Sequence, residues 1–178
     1  MKRFAVPMLL GALAISAGAS RAEAQNFFIG GGPTMPMGDF NDYAKMGYIL
    51  TAGLGVDIGK KGMFAEAEFW YGSNKHEFAG DKTNIMAGFG ALGYSFMPAK
   101  KVSPYILGGA GFLSHRFRSE SVPADNENES KFAYTGAFGL IFKLSPKASF
   151  WVEGRYIGSE FTKLVPLTAG FSINLKSN

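Results

Sequence analysis

From about residue 26 onward the chain is written in a period of two. In its last segment, residues 164–176, Val165, Leu167, Ala169, Phe171, Ile173 and Leu175 fall on one face of an extended strand, and Pro166, Thr168, Gly170, Ser172, Asn174 and Lys176 on the other. One face is wholly apolar; the other is small or polar. Comparable segments of about ten residues, the length of a tilted strand crossing a bilayer, recur along the chain. They predict strands at 26–32, 47–58, 63–75, 84–96, 104–117, 132–144, 148–161 and 164–176. Between them, tight turns at 59–62, 97–103 and 145–147 alternate with mostly longer connections, the longest at 118–131. A loop carrying Pro33, Pro36, Gly38, Asp39 and Asn41 separates the first two strands. After residue 24 no apolar run approaches a membrane helix. The fold class this predicts is all-β: an eight-stranded antiparallel up-and-down barrel with both ends on the tight-turn side.

Period two alone allows two barrels. A secreted lipocalin-like barrel has its apolar face inside, whereas a membrane barrel turns that face to lipid. Residue size separates them. On the sixth strand Phe132, Tyr134, Phe138, Leu140, Phe142 and Leu144 oppose Ala133, Thr135, Ala137, Gly139, Ile141 and Lys143. On the seventh, Phe150, Val152, Gly154 and Tyr156 oppose Trp151, Glu153, Arg155 and Ile157. Small residues suit the concave wall of a narrow cylinder and large ones its convex surface, which favours the membrane barrel. Aromatic residues toward the strand ends suit interfacial belts. Tyr48, Tyr71, Phe132, Tyr134 and Tyr156 are expected near the outer interface, and Phe96, Tyr105, Phe142 and Phe150 near the inner one.

Residues 1–24 break the rhythm. Lys2 and Arg3 precede an apolar run from Phe4 to about Ala19, and Ala22-Glu23-Ala24 precedes Gln25. This is the charged, apolar and small-residue order of a cleavable Sec-type signal peptide, so the domain is expected to occupy 25–178, with Gln25 as its first residue. Of the 18 basic and 14 acidic residues, removing Lys2, Arg3, Arg21 and Glu23 leaves 15 and 13, nearly neutral. No basic run tracks a phosphate backbone, so no nucleic-acid partner is expected. The absence of cysteine excludes disulfides, thiolate metal sites and cysteine nucleophiles.

The order of types from Thr168, polar-x-Gly-x-x-apolar-x-apolar through Gly170, Ile173 and Leu175, resembles the C-terminal signal read by the outer-membrane barrel assembly machinery. It departs by running on through Lys176, Ser177 and Asn178 rather than stopping on an aromatic residue. With the leader, the strand rhythm and the glycine-rich stretches 87–94 and 108–111, residues 25–178 resemble the small eight-stranded outer-membrane barrels, the outer-membrane protein A-like and opacity-type family. That resemblance implies the outer membrane of a Gram-negative-type envelope. It implies lipids and lipopolysaccharide as partners, and it names an architecture whose members are structural, adhesive, solute-leak or lipid-modifying.

Chemistry is sparse. A lipid-modifying barrel needs a hydroxyl within reach of an oriented histidine. His115 has Ser114 on the opposite face of its strand, and Phe117 where the deacylase-type His-x-Ser order would put a serine. No catalytic residue, cofactor or resident metal is therefore expected. Glu120, Asp125, Glu127 and Glu129 alternate in the longest loop, as oxygen ligands of a divalent cation or as solvated charges, without a calcium-loop spacing. Arg116, Arg118, Lys131 and Lys163, near the outer rim, are candidates for lipopolysaccharide phosphates or simple loop-end charges. By parity Asp57, Glu66, Glu68, Lys143, Glu153 and Arg155 face the lumen, where Glu66 or Glu68 can meet Arg155, and Lys143 can meet Asp57 or Glu66. An interior this narrow is just filled by side chains. The expected function is thus a non-enzymatic, monomeric barrel with a plugged lumen and a structural or surface role; the alternatives are a small porin with a wet lumen and, third, a lipid A-modifying enzyme.

Overall fold

Alternation along the chain becomes alternation between the two sides of a closed cylinder. The computed structural model describes residues 25–42, 44–58, 62–76, 82–118, 129–160 and 162–175. The expected leader, the middle of the longest loop at 119–128 and the last three residues lie outside them. The strands are β1 (Gln25–Met37), β2 (Ala44–Asp57), β3 (Met63–His76), β4 (Lys82–Ser95), β5 (Val102–Arg118), β6 (Glu129–Lys143), β7 (Ala148–Ser159) and β8 (Lys163–Asn174). Each pairs antiparallel with the next, and β1 pairs antiparallel with β8, closing the barrel. Closure leaves no free sheet edge to aggregate. The turn from β2 to β3 ends at Gly62, whose φ of +94° a residue with a side chain rarely adopts, and a Cβ there would lie 2.4 Å from the Ser95 carbonyl oxygen.

The large faces point outward. Phe132, Tyr134, Phe138, Leu167, Phe171 and Ile173 are exposed, Phe132 by 62%, while Ala133, Thr135, Glu153, Arg155, Thr168 and Gly170 are buried. Such an apolar outer surface is what a barrel surrounded by hydrocarbon requires. No helix among the described residues is long and apolar enough to cross a membrane. Aromatic residues gather toward both ends, Phe112 edge-on to Phe132 and Tyr134 beside Tyr156 at the loop end, Tyr94 edge-on to Phe96 and Phe142–Phe150–Phe171 in a row at the turn end. Tyr105 departs from the expected inner belt. It faces the lumen and is 5% exposed.

Several strands run further toward the loops than their turn-forming residues predict. β1 continues through Pro33 and Pro36 to Met37, and the expected loop shrinks to a short 3-10 helix, Gly38–Asp42. Proline removes one N–H donor; the ladders skip at Pro33 and at Pro166, while Pro36 stays in register with Leu164. Between β1 and β8 the pairs skip from Gly31–Ala169 to Thr34–Pro166, passing Pro33; between β7 and β8 they skip from Gly154–Leu167 to Ile157–Leu164, passing Pro166. A barrel strand held by neighbours on both sides tolerates one such gap. β5 and β6 likewise extend to Arg118 and from Glu129, taking up part of the longest connection.

Candidate functional site in the barrel lumen

β3 and β7 stand on opposite sides of an eight-stranded cylinder, and their inward parity brings Glu68 and Trp70 to face Glu153 and Arg155. Arg155 is 4% exposed and uses its whole guanidinium fork. Nε donates to Glu153 Oε1 at 2.7 Å, Nη2 to Glu153 Oε2 at 3.2 Å, and Nη1 to Glu68 Oε1 at 3.0 Å. The carboxylates are completed by neighbours. Trp70 Nε1 donates to Glu68 Oε2 at 2.8 Å and Tyr105 Oη to Glu153 Oε2 at 2.7 Å. The guanidinium carbon lies 4.6 Å from the centre of the Trp70 ring, a cation–π distance. Planar bidentate pairing with full hydrogen-bond satisfaction is the arrangement in which a buried charge is tolerable.

Toward the loops the lumen turns apolar. One inward position above this cluster come Ile49 on β2, Ile85 on β4 and Ile157 on β7, joined by Leu113 and Leu164, all nearly inaccessible. Phe40, from the 3-10 helix, is buried in the same cluster. Neither Phe40 nor this layer is signalled by the sequence, whose turn-forming residues predict loop at 33–41 and whose alternation predicts a polar interior. Toward the tight turns the lumen widens into a cavity of about 600 Å³ that opens between the turns, with Lys143, Lys147 and Asp57 at its mouth and Glu66 deeper within. Lys143 Nζ donates to the Pro98 carbonyl oxygen. Of the six charged residues expected in the lumen, Glu68, Glu153 and Arg155 thus form one cluster, and Asp57, Glu66 and Lys143 line the cavity below it.

Among the assembly-signal positions, Thr168 and Gly170 point inward, while Ile173 and Leu175 point outward. Gly170 faces Gly30 across the β1–β8 seam, and Trp151 lies against both. A Cβ on Gly170 would fall 2.2 Å from the Ile29 carbonyl oxygen and 2.6 Å from Trp151 Cζ2; one on Gly30, 2.5 Å from Trp151 Cζ2. The glycine pair is the seat of the indole at the closing seam.

The rim cations are spread over β5, β6 and β8. Lys131 meets Glu160 at 3.5 Å as an exposed pair, Lys163 is paired in register with Met37 and Gly158, and Arg116 lies across from Asn84 on β4. Arg118 ends β5, and its side chain lies outside the described residues. The acidic alternation of the longest loop lies there too; among the described residues no three acidic or histidine side chains gather as metal ligands. His76 Nε2 lies 2.7 Å from Thr83 Oγ1, a pair sequence spacing did not suggest. Thr83 is 4% exposed, so the contact ties β3 to β4 rather than presenting a hydroxyl.

Barrels of this kind are known. Neisserial surface protein A superposes with a TM-score of 0.62 at 12% identity, covering 83% of this chain and 96% of that one. Ail, the attachment invasion locus protein of Yersinia pestis, gives 0.58 at 16% identity over 85% and 98%, and the outer membrane protein OprG of Pseudomonas aeruginosa 0.55 at 14% over 88% and 98%. At these identities the likeness is one of fold. No curated protein matches the sequence. The family model described as the outer membrane protein beta-barrel domain matches residues 8–175. A model match over nearly the whole chain, on a cylinder whose outer face is apolar, places the chain in the outer membrane protein beta-barrel domain family.

Proposed function

We propose that this protein is a non-enzymatic outer-membrane barrel with a structural or surface-interaction role and a lumen closed to through passage. The observation that carries this reading is the pair of closures in series: Arg155 held by Glu68 and Glu153, and directly above it the layer of Ile49, Ile85, Leu113, Ile157 and Leu164. A porin needs a continuous wet path, and an apolar constriction resists wetting. In this reading a Sec-type leader exports the chain, the barrel assembly machinery folds it, and it works as a monomer among outer-membrane lipids. Arg116, Arg118, Lys131 and Lys163 meet lipopolysaccharide phosphates at the rim. The exposed Lys131–Glu160 pair contributes little to stability, so Lys131 can exchange its carboxylate for a phosphate.

Proteoliposomes carrying the purified barrel should swell in small sugars no faster than protein-free vesicles, and incubation with lipopolysaccharide should release no acyl chains. Rapid swelling would replace this reading with the porin one; released fatty acid would replace it with a lipid-modifying enzyme.

A further inference from the structure

The cavity on the tight-turn side is unevenly charged. Arg155 is divided between Glu68 and Glu153, yet a third carboxylate, Glu66, stands one inward position nearer the mouth on β3 and lines the same cavity. Glu66 makes no hydrogen bond or ion pair with another described residue. Three carboxylates therefore share one guanidinium. Phe28, Phe64, Tyr105 and Trp151 supply aromatic wall. Two further lining groups, Thr51 Oγ1 and Trp151 Nε1, belong to residues 3% and 8% exposed and have no hydrogen-bond partner among the described residues.

A concave chamber that joins a carboxylate outside the hydrogen-bonded cluster, aromatic faces and an unpartnered hydroxyl oxygen, Thr51 Oγ1, has the chemistry of an organic-cation site. We infer that this cavity binds a small monovalent organic cation, an ammonium or guanidinium compound, entering from the periplasmic mouth, with Glu66 as its counter-ion. Such a cation is more weakly hydrated than a metal ion and gains contact with the aromatic wall. Lys143 and Lys147 at the mouth select against higher charge, since Coulomb repulsion grows with the charge of the approaching ion. The site goes beyond the proposed function, because a closed structural barrel requires no ligand.

The chain has two tryptophans, so the barrel labelled with nitrogen-15 in micelles gives two indole N–H signals, which Trp151→Phe assigns. Methylguanidinium chloride should shift the Trp151 signal saturably, and sodium chloride at equal ionic strength should not. Glu66→Gln, checked for folding by its gel shift on boiling, should raise the midpoint about tenfold or more, as loss of a charged hydrogen bond implies. A response that does not saturate, that sodium reproduces, or that keeps its midpoint in Glu66→Gln overturns the site. The sodium control decides on wild-type protein alone should Glu66→Gln fail to fold.

Discussion

Arg155 on β7 reaches across the lumen to Glu68 on β3, with Nη1 2.9 Å from Oε2, and both side chains are almost wholly removed from solvent. Removing the arginine leaves Glu68 and Glu153 buried without their shared counter-charge. Breaking a buried pair from one side typically costs about 3–5 kcal/mol, whereas replacing all members by neutral groups of similar size is often tolerated. Arg155→Ala should therefore lose stability of that order in urea titrations of the refolded barrel. The triple variant Glu68→Gln, Glu153→Gln, Arg155→Met should lose less. An Arg155→Ala barrel within about 1 kcal/mol of wild type would mean that the charges are solvated rather than paired.

The Gly30–Gly170 seam offers a second test, because it separates two reasons for Gly170. If the glycine serves only the assembly signal, Gly170→Ala should depress insertion while Gly30→Ala is silent. The geometry predicts that both are harmful, since either Cβ would meet Trp151 Cζ2 and a backbone oxygen well inside contact distance. Overpacking of this sort costs about 1–3 kcal/mol. The readout is the fraction of each variant that shows the folded-barrel gel shift before boiling.

Which faces turn inward was legible wherever one face is large and the other small, as on β6, β7 and β8. It was not legible on β5, where Gly108, Gly109, Ala110 and Gly111 put small residues on both faces. There residue type predicts an interfacial belt position for Tyr105, whereas its parity turns it inward to Glu153. Strand ends were misread for a different reason. Pro33 and Pro36 signal a break, but a strand bonded on both sides survives a missing donor. The apolar layer stayed hidden because isoleucine or leucine at an inward position near a strand end breaks the alternation that identifies faces. The charge cluster was accessible from parity and strand count, because Glu68, Glu153 and Arg155 lie on strands that an eight-stranded closure sets opposite one another.

The tight turns and the long connections lie at opposite ends of the barrel, and β5–β6 carries the longest connection, between Arg118 and Glu129. Short turns belong on the periplasmic side and longer loops outside. Protease added to intact cells should cut first between those two residues. First cleavage in the turn from Ser95 to Val102 would mean an inverted barrel.

The central claim is that the lumen is closed twice, by charge pairing and by an apolar layer above it. Planar-bilayer recording tests it most directly. Wild type should show no steady conductance, and Arg155→Ala should add only brief openings, because Ile49, Ile85 and Ile157 remain. Adding Ile85→Ser and Ile157→Ser to Arg155→Ala should produce steady current. A large, stable wild-type channel would contradict the account.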